Sequence, residues 1–389
     1  DAHKVALGHV GGDDGDVVYG VDPDRANRHG TTLGCVGGPV NSLFAVLRRR
    51  PLRLSVQSVI DKAFSPCLDW IRTWSKAGQM TLDSFLDEFL NEMEDSSKPL
   101  LASRLTVLSA LGGDEMARFR DAWEHTEVRR RRQIARWLVE LAEDNVELDF
   151  DTVFMAVLKD EDAEVRFTAI QGLWEYEGRD LISSLIDILQ RDPDTEVRAQ
   201  AALALGSFVM KAEFDRLSDS DSRRVERALQ AVIENPDEKV EVRARALESA
   251  GARSVPWVRR SIEEAYRDSN RQMRVSAVHA MGRHCDPRWA PILIQELSSD
   301  DPEMRYEAAN ACAFICGEAA VPDLISLTED EDAEVQEAAV TALGEIGGEQ
   351  AKAALQRLTR HPETRVRDAA ASALEQIDFD EDPLGFNYR

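Results

Sequence analysis

The sequence is poor in the residues that carry chemistry. Its five cysteines, Cys35, Cys67, Cys285, Cys312 and Cys316, form no Cys-x-x-Cys pair. That spacing leaves no zinc-ribbon or thioredoxin-type motif, and an odd count points to reduced thiols in a cytoplasmic setting. Cys312 and Cys316 fall four apart on one helical face, where small buried core residues are expected. Histidine is as sparse. His279 and His284 stand five apart while His125 and His361 are isolated, a scatter that offers a metal no converging ligands. No nucleophile elbow, Walker loop or dinucleotide fingerprint occurs. The sequence therefore predicts no catalytic residue, no cofactor and no metal. No apolar run approaches the roughly 20 residues of a membrane span, and no basic leader with an apolar middle is legible. A cytoplasmic protein without a membrane partner is the expectation.

Basic charge is also short. The chain holds 72 acidic and 47 basic side chains, a net of −25. The deficit lies after residue 79: residues 1–79 hold 8 acidic and 10 basic residues, which leaves the remainder with 64 and 37. Such a body repels a phosphate backbone and releases none of its counterions, so nucleic acid is not an expected partner.

What the chain does have is a period. An apolar residue, usually preceded by an acid and followed by arginine, recurs at Val128, Val165, Val197, Val242, Met273, Met304, Val335 and Val366, with spacings of 37, 32, 45, 31, 31, 31 and 31. Four equal intervals mark a unit stacked on copies of itself. The unit is clearest at 330–360. Asp330-Glu331-Asp332 supplies acceptors for a helix N-terminus. Apolar residues at 335, 339, 342, 343 and 346 form one helical face, and Gly347-Gly348 stops the helix. A second helix over 349–359 carries Ala351, Ala354, Leu355 and Leu358 inward. Each unit is thus a helical hairpin. Pro193, Pro302 and Pro362 open further copies in a first turn where their missing donor is not needed, and 99–113 reads as a divergent first copy. The prediction is an all-α superhelix of about nine hairpins spanning 80–378.

Residues 1–79 stand outside the pattern. They hold 10 of the 22 glycines and read as an extension without a fold of its own, with Met80 as the expected natural start. Their Gly/Asp run at 11–16 has its glycines misplaced for a calcium loop. The stretch 52–74, with Trp70 and Trp74, turns more helical. Residues 379–389 read as an acidic, aromatic tail.

Asp160-Glu161-Asp162-Ala163-Glu164-Val165-Arg166 and Ala320-Val321-Pro322-Asp323-Leu324-Ile325 resemble the first- and second-helix signatures of the HEAT-repeat family, more narrowly the short HEAT-like repeats of the phycobilin lyases. The likeness covers about 97–378. It implies a HEAT/armadillo-type solenoid whose second helices line a concave side, and it is nearly silent on function. HEAT-like deoxyhypusine hydroxylases carry paired His-Glu dipeptides as iron ligands, and this sequence has no such dipeptide. HEAT-like DNA glycosylases work through a basic concave face, from which the acidic body departs.

The recurring arginines, Arg129, Arg166, Arg198, Arg243, Arg274, Arg305 and Arg367, are expected to emerge beside the acidic turns at Asp160, Asp192, Asp237, Asp268, Asp300 and Asp330. There their planar forks would form a structural ladder between repeats. Gln336 breaks it once. The run Arg129-Arg130-Arg131-Arg132, with Arg136, lies on a helix flanked by Glu124, Glu127, Glu140 and Glu143 and reads as a solvated, salt-bridged face, the alternative being a patch for an acidic partner. Two departures from the average unit mark a surface. Trp257 and Trp289 occupy equivalent places at the starts of successive second helices and, with Arg259, Arg260 and Arg288, form a candidate protein-binding patch. The alternative is that both rings fill inter-repeat core. The 45-residue interval holds a polar insertion at 211–222, either a binding rim or a drifted loop. The sequence thus predicts a noncatalytic scaffold or adaptor that binds a protein partner on its concave side. The resemblance adds an alternative: a bilin lyase-like subunit assisting chromophore attachment.

Overall fold

The computed structural model describes residues 82–381. The expectations for 1–79, including the Gly/Asp run, Trp70, Trp74, Cys35 and Cys67, and for the tail beyond 381, fall outside the described residues. Within them the all-α expectation holds, since every regular element is helical.

The chain opens with α1 (Leu82–Glu94) and α2 (Gly113–His125), which pack together. Two-helix units follow. Their first helices are α3 (Val128–Asp144), α5 (Ala163–Gly172), α7 (Thr195–Glu213), α9 (Val240–Ala250), α11 (Arg271–His284), α13 (Pro302–Ile315) and α15 (Ala333–Ile346). Their second helices are α4 (Asp151–Val157), α6 (Arg179–Arg191), α8 (Asp219–Ile233), α10 (Pro256–Tyr266), α12 (Ala290–Glu296), α14 (Val321–Leu327) and α16 (Gly348–Leu358). A single first helix, α17 (Thr364–Glu381), closes the array and runs three residues past the expected boundary at 378. The described residues hold eight pairs and this closing helix.

Local sequence explains the boundaries. Asp162, Asp194, Asn270, Asp301 and Asp332 each cap a first helix by accepting from amides of its first turn, which satisfies donors that have no partner inside the helix. Gly347 and Gly348 end α15 at φ +64° and +80°, a backbone region that costs glycine nothing. The markers Val165, Val197, Val242, Met273, Met304, Val335 and Val366 are all buried, at most 5% exposed. They join one continuous apolar spine in which each first helix packs on the next.

Three expectations change. Val128 is half-buried, and fully buried Ile134, 31 residues before Val165, takes the marker's place. Helix α3 starts earlier than the other first helices, so the acidic-Val-Arg match at 127–129 lies ahead of the true register. The divergent copy at 99–113 yields only a 3₁₀ helix over Ala102–Leu108. Thr106 Oγ1 donates to the Ser103 carbonyl at 3.2 Å, a local bond of the kind that competes with a helix, and Ser109 Oγ accepts from the Asp149 amide at 3.0 Å, 40 residues further on. The insertion at 211–222 does not form a loop. Helix α7 continues to Glu213, burying Phe208, Val209 and Ala212, and α8 begins at Asp219 behind the Ser218 cap. The surplus lengthens both helices of one repeat and leaves only 214–218 between them.

Candidate partner-binding site

The recurring arginines sit where consecutive repeats meet. Arg166 donates through Nε and Nη2 to the two carboxylate oxygens of Asp192 at 2.7 Å each, while its Nη1 reaches the Asp160 carbonyl of its own turn at 2.9 Å. Arg305 repeats the pattern on Asp330 and the Ser299 carbonyl. Arg198 does so on Glu238 and the Asp192 carbonyl. The carboxylate is therefore Glu238 and not the expected Asp237, since the 45-residue interval shifts the turn by one. Each fork ties its own turn to the next repeat with charge-assisted bonds. The Asp192 bond holds the Arg166 guanidinium above its ordinary pKa. At Asp330, burial opposes ionisation, but the Arg305 and Asp332 bonds more than offset it and hold the carboxyl below its usual range.

The other positions differ. Arg274 reaches only the Asp268 and Ser269 carbonyls of its own turn, because Ser299 stands where the next repeat would offer a carboxylate and the expected Asp300 is exposed beside it. Arg367, in the closing helix, bonds the His361 and Pro362 carbonyls. Arg243 donates to the Ile233 carbonyl. Gln336 keeps the bond to its own turn, at 2.7 Å from the Asp330 carbonyl, and has a buried Oε1 without a partner. Arg129 is exposed, as its place ahead of the register requires.

The arginine run is not the expected solvated face. Arg130 and Arg131 are buried. Arg130 donates to the Lys98 and Glu92 carbonyls. Arg131 pairs with Asp160 at 2.8 Å and Glu161 at 2.5 Å, and Arg132 is bidentate on Asp162. Arg136 pairs with Glu164. The carboxylates lie in the next repeat and not among the flanking glutamates, while the carbonyls that Arg130 meets lie in the preceding unit. Arg271 stands two residues before its marker, as Arg132 stands two before Ile134. It makes the same bidentate contact one repeat on, with Asp301 at 2.5 and 2.6 Å.

The tryptophan patch divides. Trp289 is 3% exposed and belongs to the spine, so its ring fills core and is not presented to a partner. Trp257 is half-buried, Arg259 half-buried, and Arg260 and Arg288 exposed, so four of the five residues retain surface. Beside them, between the start of α10 and the end of α11, lies a pocket of about 280 Å³ lined by Ser254, Val255, Pro256, Arg259, His284, Cys285 and Asp286. Cys285 takes the left-handed conformation at φ +52° that ends α11.

The acids bordering this pocket are already engaged. Asp286 accepts from the Arg288 amide at 3.1 Å and pairs with Arg288 Nε at 2.7 Å. Glu213 accepts from Arg253 at 2.9 Å and from the Ser254 amide at 3.0 Å. Other polar atoms here are not engaged. Among the described residues, both buried ring nitrogens of His284 lack a hydrogen-bond partner, as do Trp289 Nε1 and Arg283 Nε. Arg259 likewise makes no side-chain hydrogen bond or ion pair with any described residue. Burial holds the His284 imidazole below its ordinary pKa, with Asp286 and Glu213 opposing and Arg259 and Arg288 assisting. Burial also lowers Arg283. The chain offered only the Trp/Arg anomaly as a signal for this place. The sequence brings His284 up only beside His279 as a poor metal ligand, because a histidine at a helix end does not show whether its nitrogens are paired.

His279 faces Glu307 at 2.9 Å. Among the described residues no three His, Cys, Asp or Glu side chains converge as a metal would require, and no helix is long and apolar enough to cross a membrane. Cys312 and Cys316 are both buried in the spine, where the contact between them and then burial raise the Cys312 thiol.

Residues 152–234 and 290–375 match the family of HEAT repeats. No curated protein sequence matches the chain. Among solved structures, human deoxyhypusine hydroxylase in complex with glycerol is 23% identical, over 76% of this chain and 97% of that one, with a TM-score of 0.32. The complex of CpcE and CpcF of phycocyanin lyase from Nostoc sp. is 18% identical, over 59% and 93%, with a TM-score of 0.40. Importin beta is 17% identical, over 83% and 49%, with a TM-score of 0.37.

Proposed function

We propose that the chain, whose residues 152–234 and 290–375 match HEAT repeats, is a noncatalytic scaffold or adaptor that holds a protein partner along the face lined by its second helices. A stack of this kind buries apolar surface only between neighbouring repeats and leaves two long faces free for contact. The observation that carries the reading is local: Trp257, Arg259, Arg260 and Arg288 keep surface together at the start of two successive second helices. Tryptophan and arginine are the side chains that most often dominate interface energy. Elsewhere along the array, arginines such as Arg131, Arg166 and Arg305 are consumed by pairs between repeats.

The test is affinity capture from an extract with the full chain and with the double variant Trp257→Ala/Arg260→Ala, followed by identification of what is retained. Neither residue is fully buried, so the variant should fold and circular dichroism should be unchanged. A partner that the intact chain retains and the variant loses by about tenfold, the scale of one interface hot spot, supports the reading. Equal retention by both would reject this surface.

A further inference from the structure

We propose that the pocket between α10 and α11 is a carboxylate-binding site that receives an aspartate or glutamate side chain from an acidic segment of a partner protein. The inference rests on the scaffold reading for its biological setting, but its chemistry is local. The pocket walls bring Arg259 and His284 to one cavity of about 280 Å³, a volume suited to a side chain and too small for a folded element. Among the described residues Arg259 has no side-chain partner, and both buried nitrogens of His284 lack a hydrogen-bond partner. The two nearby acids are bonded to Arg288, Arg253 and the Ser254 amide. Among the described residues, the groups left to meet a ligand are thus the Arg259 guanidinium and the single N–H of a neutral His284, and a donor left unpaired in such a recess favours a ligand that accepts from it.

The site is also the right sign in the right surroundings. A chain of net charge −25 repels acidic partners over most of its surface, so a small basic recess selects where such a partner docks. Arg260 extends the positive rim, while the Arg288 charge is shared with Asp286. The N-terminus of α10, which has no side-chain cap, points its free dipole end into the same region. A carboxylate there accepts from the planar fork of Arg259 and from the His284 imidazole.

Binding couples to pH through His284. The groups that face it are Asp286 and Glu213, which favour its protonation, and Arg259 and Arg288, which oppose it; burial opposes it most. An incoming carboxylate adds negative charge beside the ring and partly neutralises Arg259, so the bound state takes up a proton on His284. Affinity therefore rises as pH falls. If binding raises the imidazole by one pKa unit, the gain between pH 8 and pH 6 is about threefold to sixfold and approaches about tenfold only well below the free-state pKa.

The experiment uses the purified full chain at fixed ionic strength, with acetylated and amidated tetraglutamate as the probe, tetraglutamine as its uncharged counterpart and inorganic phosphate as competitor. Binding is read by calorimetry, and the His284 ring is followed by nitrogen-detected NMR. The expected result is tetraglutamate binding that shifts the His284 resonances and strengthens toward pH 6. Arg259→Ala should weaken it about tenfold, and His284→Gln should leave binding but remove its pH dependence. Equal binding of tetraglutamine, or an unmoved His284 ring, would overturn the site. Full displacement by phosphate at the same affinity would replace the peptide by a free anion as occupant and overturn that part. Arg259→Ala is half-exposed and His284→Gln conserves polarity, so both should fold. If the extract partner is lost through Trp257 and Arg260 while tetraglutamate does not bind, the scaffold reading survives and the pocket fails. The converse result separates them in the other direction.

Discussion

Asp192 accepts three hydrogen bonds with one carboxylate. It accepts from the Asp194 amide at 2.9 Å, which shapes its own turn, and from both arms of Arg166, which belongs to the preceding repeat. The Arg166 and Asp192 side chains are 9% and 6% exposed, so neither charge has water to fall back on. Removing one partner of such a pair leaves the other buried and uncompensated. Arg166→Ala should therefore cost about 3 kcal/mol, read as a fall in the urea midpoint with little change in slope. The defective rung offers the opposite test. Ser299 occupies the acceptor position facing Arg274 and already accepts from the Asp301 amide at 3.4 Å. Ser299→Asp keeps that turn bond and adds a carboxylate for the fork, which should raise stability by about 1 kcal/mol. The arginine pattern and the acidic turns could be read in the sequence because the motif is local. Which acid each arginine meets could not. That depends on the register of the following repeat, as Glu238 in place of Asp237 and Arg131 in place of Arg129 show.

At the scale of the helices, the distance between successive first helices is set by what lies at their contact. A methyl group at Gly251 would stand 2.9 Å from the Ala280 Cα, and one at Gly282 would stand 2.9 Å from the Ala311 Cβ. Backbone cannot yield as a side-chain tip does, so the helices would have to separate. Gly251→Ala should cost about 1–3 kcal/mol by overpacking, with faster amide exchange in α9 and α11 and unchanged exchange in α15 and α17 if each repeat feels only its neighbours. The helix pattern of the standard units was legible from their periodicity, and the stop at Gly347-Gly348 from composition alone. Gly251 and Gly282 carried no such signal, because a glycine that permits close approach looks in sequence like one that ends a helix. The same limit applied to 211–222. Its serines and aspartates suggested a loop, but Phe208, Val209 and Ala212 bury the end of α7 and carry the helix on to Glu213.

Over the whole molecule, the same acidic turns that join repeats make stability depend on proton concentration. Asp162, Asp301, Asp330, Glu213 and Glu238 are all held below their ordinary pKa by arginine and backbone donors, against the burial that would raise them. A carboxyl depressed in the folded state stabilises it fully above the unfolded value of about 4, and that contribution is lost as pH falls through the folded value. Relief of repulsion acts the other way. A chain of net charge −25 loses self-repulsion as carboxylates protonate, but exposed charges are screened by salt while half-buried pairs are screened much less. At physiological ionic strength the paired turns should dominate, and the array should unfold in acid. Asp330 isolates the effect, since Arg305 binds both of its oxygens at 2.7 Å. Asp330→Asn should be less stable than the parent near pH 7, and the gap in urea midpoint should close as pH falls below about 4, where the parent carboxyl is itself becoming neutral. A gap that stayed constant across that range would show that shape and not charge holds this joint. Because each joint links only two repeats, the loss should appear first in the amide exchange of α13 and α15 and spread outward from them.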